Sequence, residues 1–178
     1  VFDVSGSMRD RGRMENARTG AAAFVDQLGE NDRLTLIAFN DQQTVVFDNL
    51  VVGANRDRMK RDILSLIPGG GTALFDSIAF AIERQQSTLS RDAINALVVM
   101  TDGEDTNSTR FRDANSLMER FGMTAESPAD ISIFTIGYDL NEAGLRPLRT
   151  IAERGRGAFY QGDVSNIRDV YLEISTFF

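Results

Sequence analysis

The chain has 178 residues, enough for one domain with a sizeable core, and its 42% hydrophobic and 25% charged residues are ordinary for a globular protein. The formal net charge of −7 argues against a general nucleic-acid or anionic-membrane surface, because phosphate binding needs clustered Lys and Arg. The absence of His and Cys excludes Ser-His-Asp catalysis, imidazole or thiolate metal ligands, and disulfides.

The sequence alternates helical and strand patterns with short loops, which predicts βαβ units around a parallel sheet. The predicted helices cover residues 13–28, 55–67, 72–86, 111–121, 142–154 and 167–177. The predicted strands cover residues 34–39, 43–47, 93–101, 131–136 and 157–160, after a first strand that ends at Asp3. A short break separates the strands at 34–39 and 43–47, so we expect a hairpin that makes the third strand antiparallel at one edge.

The chain is expected to be one domain over residues 1–178 and a fragment of a longer protein, since only Val1 and Phe2 precede Asp3 in the first strand. No apolar run approaches the ~20 residues that span a bilayer, so direct membrane insertion is not expected. The lack of Cys does not identify the compartment.

The first eight residues place one carboxylate and two hydroxyls directly after an apolar strand end. These groups belong to Asp3, Ser5 and Ser7, and Gly6 lets the backbone bend enough for alternate side chains to converge. An oxygen-only cluster with little formal charge suits a hard divalent cation such as Mg²⁺. The alternative is an Asx or Ser turn that only caps the next helix.

Two later segments offer further oxygen ligands from loops. Thr72 supplies a hydroxyl just before a helix, after a glycine run at 69–71 that allows close backbone approach. Asp102 follows the apolar run at 97–100 in an Asp-Gly turn, at the carboxyl end of a predicted strand. In open α/β sheets, ligands bind at the carboxyl ends of the strands. We therefore expect the three loops to converge on one point.

This set of residues resembles the metal-ion-dependent adhesion site of the von Willebrand factor type A domain family, which includes the integrin inserted domains. The family's Asp-x-Ser-x-Ser element is intact at residues 3–7, its threonine matches Thr72 and its second aspartate matches Asp102. The resemblance covers essentially the whole chain. It implies a Rossmann-like, doubly wound α/β fold with a mostly parallel central sheet, one antiparallel edge strand and helices on both faces.

The resemblance also implies a metal site and a function. The implied metal ligands are Asp3, Ser5, Ser7, Thr72 and Asp102. The expected ion is Mg²⁺, with Mn²⁺ or Ca²⁺ as alternatives. If the aspartates bind partly through water, the ion stays under-neutralised and attracts a Glu or Asp carboxylate from a partner protein. The expected activity is therefore adhesion-type, metal-dependent protein–protein interaction by a monomeric domain of a larger protein, with an extracytoplasmic or cell-surface location slightly favoured.

Two other functions stay open. One is a scaffold whose metal is structural and whose partner surface lies elsewhere. The other is Mg²⁺-dependent phosphoryl transfer of the haloacid dehalogenase type, although those enzymes carry a second Asp where this chain has Ser5. The glycine-rich segment also lacks the Gly-Lys-Ser/Thr ending of a P-loop, and Ser5 and Ser7 lack the flanks of a Gly-x-Ser-x-Gly hydrolase motif.

Two further features have less specific interpretations. Arg9, Arg11 and Arg13 are predicted to lie on a solvated loop. Glu104 and Asp105 are predicted to form a solvated rim, because their segment lacks the central Gly and terminal Glu of an EF-hand loop.

The terminal helix is the element whose displacement is coupled to the metal in integrin members of the family. In this chain we expect it to be a fixed helix that closes the core. Its predicted inward stripe consists of Ile167, Val170, Tyr171, Ile174 and Phe178.

Overall fold

The computed structural model describes residues 1–90, 92–123, 130–163 and 165–177, with only the backbone for Arg11. The helices in these ranges are Arg13–Gln27 (α1), Val52–Leu64 (α2), Leu74–Gln86 (α3), Ala114–Arg120 (α4), Glu142–Arg154 (α5) and Ile167–Ser175 (α6), with a 3₁₀ segment at Gly6–Gly12. The strands are Phe2–Asp3 (β1), Arg33–Phe39 (β2), Gln43–Val51 (β3), Ala96–Thr101 (β4), Ser132–Tyr138 (β5) and Arg156–Gly162 (β6). None of the helices described is both long and apolar enough to cross a bilayer.

The six strands form one sheet in the order β3-β2-β1-β4-β5-β6. All neighbours are parallel except β2 and β3, which form the antiparallel hairpin at one edge. The chain winds outward in one direction from β1 through β2 and β3, and then in the other from β4. The order reverses between β1 and β4, where doubly wound sheets bind their ligands. The predicted fold class is confirmed.

Helices cover both faces of the sheet and divide the core into two layers. Buried side chains of α1, α2 and α6 pack on one face, and those of α3, α4 and α5 pack on the other. The nearly continuous apolar sequence of β5 is explained by its contacts with both layers. Phe134 and Ile136 enter the first layer, while Ile133 enters the second and the Thr135 hydroxyl donates to the Leu148 carbonyl of α5 at 2.9 Å. Burial on both faces removes the polar alternation of a half-exposed strand.

Several predicted boundaries were wrong by a few residues. Strand β3 continues to Val51, because that residue pairs with Arg33 across the hairpin, and α2 follows at once from Val52. Helix α2 ends at Leu64, and Ile67, which was predicted to be helical, is 81% exposed in the following loop. Helix α4 begins after Asp113, whose side chain forms a capping box with Ser116.

Helix α6 presents the predicted inward stripe to α1. Ile167, Val170, Tyr171 and Ile174 are buried, and the Tyr171 ring lies 5.9 Å from that of Phe24. The predicted fifth member, Phe178, lies outside the described residues.

Candidate metal centre

The candidate site lies at the carboxyl ends of β1 and β4, in the crevice where the strand order reverses. Asp3 is the last residue of β1 and Asp102 follows the last residue of β4. The two strands are hydrogen-bonded neighbours, with Phe2 paired to Met100. The sheet therefore brings together two aspartates that are almost 100 positions apart in the sequence.

Hydrogen bonds connect the first and third loops directly. The Ser5 and Ser7 hydroxyl oxygens lie 3.0 Å apart, and the Ser7 hydroxyl donates to Asp102 Oδ1 at 2.6 Å. The Ser5 amide donates to Asp3 Oδ1 at 2.7 Å. Hydrogen bonds thus link four of the five predicted ligands, with Asp3 joined through the Ser5 amide.

The fifth predicted residue, Thr72, reaches the same cluster from the second loop. A methyl group placed on Gly103 would lie 3.2 Å from Thr72 Oγ1 and 3.8 Å from Ser7 Oγ, so both hydroxyls face the same glycine. Thr72 is buried, and within the described ranges its hydroxyl has no hydrogen-bond partner. That oxygen is therefore free to bind a ligand.

The glycine-rich loop fits closely against the first loop through its backbone. The Gly69 amide donates to the Val4 carbonyl at 2.7 Å, and the Gly6 amide donates to the Gly70 carbonyl at 2.9 Å. Gly70 has a φ of +87°, which L-residues rarely adopt. At Gly71 an added Cβ would lie 2.2 Å from Asn107 Oδ1. Glycine is required here because the site has no space for a side chain.

The loop after β4 is attached to the start of α3 by side chains that cap the helix amides. Asp105 Oδ1 accepts from the Phe75 amide at 3.3 Å, and Ser108 Oγ accepts from the Asp76 amide at 3.0 Å. Asp76 in return accepts from the Thr109 amide at 2.8 Å. Asp105 is therefore a structural cap rather than the solvated rim residue predicted for it.

Both aspartates of the cluster are buried, and burial dominates their electrostatics. Burial raises the pKa of Asp3 to about 6, against the hydrogen bonds from Thr101 and Ser5 that favour the charged form. Burial also raises the pKa of Asp102, which the Ser7 hydroxyl and the Arg13 guanidinium oppose. Each carboxylate is thus costly to ionise where it lies, and a nearby cation would lower that cost.

The prediction missed Thr101. Its side chain is fully buried, and its hydroxyl donates to Asp3 Oδ2 at 2.5 Å. This bond links the ends of β4 and β1 and fixes the orientation of the Asp3 carboxylate. In the sequence, Thr101 is only a β-branched residue at a predicted strand end. Its hydrogen bond to Asp3 can be predicted only if β1 and β4 are known to be neighbours.

The prediction that Arg13 lies on a solvated loop is wrong. Arg13 is the first residue of α1, and its guanidinium lies 3.0 Å from Asp102 Oδ2 and 2.5 Å from Asp139 Oδ2. Only 15% of its side chain is exposed. Arg9 is exposed, as predicted.

These residues fit an oxygen-preferring divalent ion. The described residues contain no group of three or more His, Cys, Asp or Glu side chains that could hold a metal, so any ion here would depend on two carboxylates and three hydroxyls. Among the ion pairs of the described residues, none neutralises the buried carboxylate of Asp3. A hard cation with oxygen ligands and some retained waters matches this set.

Comparison with solved structures shows the same fold in proteins of low sequence identity. The von Willebrand factor type A protein from Catenulispora acidiphila aligns with a TM-score of 0.79 and 22% identity, over 98% of this chain and 40% of that one. Proximal thread matrix protein 1 from the mussel byssus, solved with a zinc-occupied MIDAS motif, aligns with a TM-score of 0.75 and 15% identity, over 99% of this chain and 43% of that one.

The sequence comparisons agree with the fold. The uncharacterized protein sll0103 of Synechocystis sp. is 29% identical over 138 residues, which are 78% of this chain and 31% of that protein. The chain therefore spans about a third of the length of this curated relative. The family model described as von Willebrand factor type A domain matches residues 1–173. The chain belongs to the von Willebrand factor type A domain family.

Proposed function

We propose that this domain is a divalent-cation-dependent protein-interaction module. Its ion, Mg²⁺ or Mn²⁺ with Ca²⁺ as a further candidate, is held by Asp3, Ser5, Ser7, Thr72 and Asp102. The partner is a protein that presents a Glu or Asp carboxylate. When bound, the ion supplies a positive centre that attracts this carboxylate.

The observation that carries the proposal is the buried, oriented carboxylate of Asp3. It is fully buried, its two oxygens accept from Ser5 and Thr101, and none of the described ion pairs includes it. A buried carboxylate without a cationic partner is costly, and such groups concentrate at functional sites. The hydroxyls of Ser5 and Ser7 next to it are the neutral oxygens that would complete the coordination of a hard ion.

Family membership supports the interaction role. Domains of this family are generally protein-interaction modules, and some of them depend on a metal at the corresponding motif. They are mostly non-enzymatic. We therefore propose binding rather than catalysis for this chain.

Isothermal titration with Mg²⁺ and Mn²⁺ tests the metal. We expect one site in the wild type and at least a hundredfold weaker binding, about 2.7 kcal/mol, in Asp3→Asn, which keeps the shape of the side chain but removes its charge. Asp163→Asn is the matched control, because it removes the same charge from an exposed residue after β6. Wild-type affinity in Asp3→Asn, or no binding by the wild type, would contradict the proposal.

A peptide library tests the partner chemistry. Peptides that contain Glu should bind in Mg²⁺, lose binding in chelator, and lose it when Glu is replaced by Gln. Peptides that bind equally well in Mg²⁺, in chelator and after replacement of Glu by Gln would instead support a scaffold with a structural metal. Mg²⁺-dependent hydrolysis of an aryl phosphate that Asp3→Asn abolishes would support the phosphoryl-transfer alternative.

A further inference from the structure

The guanidinium of Arg13 lies between the ends of two adjacent strands. Its Nη1 donates to Asp102 Oδ2 at 3.0 Å, and its Nε and Nη2 donate to Asp139 Oδ2 at 3.0 and 2.5 Å. The Asp102 side chain is 0% exposed and that of Asp139 is 36% exposed. Arg13 thus neutralises one buried carboxylate of the candidate site and is held in place by an outer one.

The position of this charge is fixed by the backbone as well as by the ion pairs. Gly12, with φ +73°, directs the chain into α1, so Arg13 begins the helix beside the site. The Arg13 carbonyl accepts from the Tyr138 hydroxyl at 3.3 Å, and Tyr138 ends β5. A cation anchored in this way cannot easily move away from a second cation that binds next to it.

The fixed position of Arg13 affects the charge balance around a bound ion. Asp3 and Asp102 carry two negative charges, which would cancel those of a divalent cation. Asp102 uses Oδ1 to accept from Ser7 and Oδ2 to accept from Arg13. Arg13 adds one positive charge to this balance. Asp139 offsets that charge only in part, because its side chain is 36% exposed and solvent screens it, whereas charges in the buried part of the site interact strongly.

We infer that Arg13 competes with the divalent ion for Asp102 and so keeps the site electropositive toward a partner carboxylate. This inference rests on the proposed function and deepens it. Arg13 is a positioning residue. It makes the affinity for the metal weaker than the ligand set alone would give, and it leaves more of the ion's charge available for an anionic partner.

The test is the affinity of the protein for Mn²⁺ alone, measured by isothermal titration. Arg13→Gln should bind Mn²⁺ about five- to tenfold more tightly than the wild type, or roughly 1 kcal/mol. Arg13→Lys, which keeps the charge, should stay closer to the wild type than Arg13→Gln does. Arg84→Gln is the matched control, because it breaks a surface ion pair with Asp48 and makes the same change in net charge. Its affinity should stay within about twofold of the wild type.

Thermal unfolding provides a second measurement. Without metal, Arg13→Gln should melt below the wild type, because Asp102 is left buried and unpaired. In saturating Mn²⁺ this gap should narrow, since the ion then neutralises Asp102. Unchanged or weaker Mn²⁺ binding by Arg13→Gln would overturn the inference while leaving the proposed function intact. Absence of binding by the wild type would instead overturn both.

Discussion

The carboxyl edge of the sheet carries two acidic regions that differ in how their carboxylates are satisfied. The first is the metal-site crevice between β1 and β4, with Asp3 and Asp102. The second, the outer cleft, is open to solvent beside β5 and β6, and its volume is about 350 Å³. The outer cleft is lined by Asp139, Leu140, Gln161, Gly162, Asp163 and Asn166.

The two carboxylates of the outer cleft have partners within the protein: Asp139 pairs with Arg13, and Asp163 accepts hydrogen bonds within its own turn. Asp163 is exposed, and its Oδ1 accepts from the hydroxyl and amide of Ser165 and from the Asn166 amide. These bonds lower its pKa. Asp3 is instead buried, and its bond from Thr101 comes from 98 positions away. A carboxylate satisfied within its own turn needs no ligand, whereas one that the fold buries at a cost is a candidate for binding. The comparison therefore favours the crevice as the binding site, although both regions are acidic.

The largest expected difference between the two regions is in how a glycine substitution changes Mn²⁺ affinity. Gly71→Ala would place a methyl 2.4 Å from Asp41 Oδ1 and still closer to Asn107, so the second loop and Thr72 must shift. We expect at least thirtyfold weaker Mn²⁺ binding, about 2 kcal/mol. For Gly162→Ala in the outer cleft, the closest contact of the added methyl would be the flexible tip of Ile167 at 3.1 Å, and the other neighbours lie at ordinary van der Waals distances. This variant should keep its Mn²⁺ affinity within about twofold of the wild type. Equal effects in titration of the two variants would break the comparison.

The pH dependence of stability should differ in sign between the two regions when no metal is bound. The pKa of Asp3 rises from 3.8 to about 6 on folding, so its ionisation destabilises the native state as pH rises through that range. At about pH 7.5, Asp3→Asn should therefore be more stable than the wild type by roughly 3 kcal/mol, and the gain should fade as pH drops toward 4.

For Asp163 the pKa is lowered on folding, so its carboxylate stabilises the native state at neutral pH and loses that contribution in acid. Asp163→Asn should accordingly be less stable than the wild type at neutral pH. Urea unfolding of both variants in chelator across this pH range measures the two differences. If both substitutions changed the free energy of unfolding in the same direction at neutral pH, burial would not be what makes ionisation of Asp3 costly.

The smallest expected effect concerns the residue that joins the two regions. Asp139→Asn removes the outer carboxylate from Arg13 but leaves the Arg13–Asp102 pair in place. The local field becomes more positive, so Mn²⁺ should bind about two- to threefold more weakly, opposite in direction to Arg13→Gln. Tighter binding in this titration would show that Asp139 does not act through Arg13.

The fold and the five candidate ligands could be predicted because their signals are local. The apolar runs, the glycine run before Thr72 and the Asp-Gly turn at Asp102 each appear within a few residues. The apolar runs then placed Asp3 and Asp102 at strand ends, whereas Thr72 lies in the loop between α2 and α3. That the hydroxyls and carboxylates bind a metal stays a prediction.

The supporting residues could not be predicted because their roles arise from the pairing of distant strands. Thr101 acts on Asp3 only because β4 lies beside β1, and Arg13 reaches Asp139 only because β5 lies beside β4. The predicted end of α2 was wrong for a related reason. Residues 65–71, part of which was predicted as helix, lie in a loop whose glycines bond to Val4 and Gly6 across the site.

The central position of β1 has a consequence for how the protein folds. Its partner β2 lies close in sequence, but its other partner β4 does not begin until Ala96. During synthesis, therefore, the first loop waits for more than half of the chain to emerge before Asp3 can meet Thr101. Contacts of this range close slowly, because a long loop must be ordered before they form. The crevice should assemble late in folding, so a divalent ion would stabilise the finished domain rather than guide its first steps.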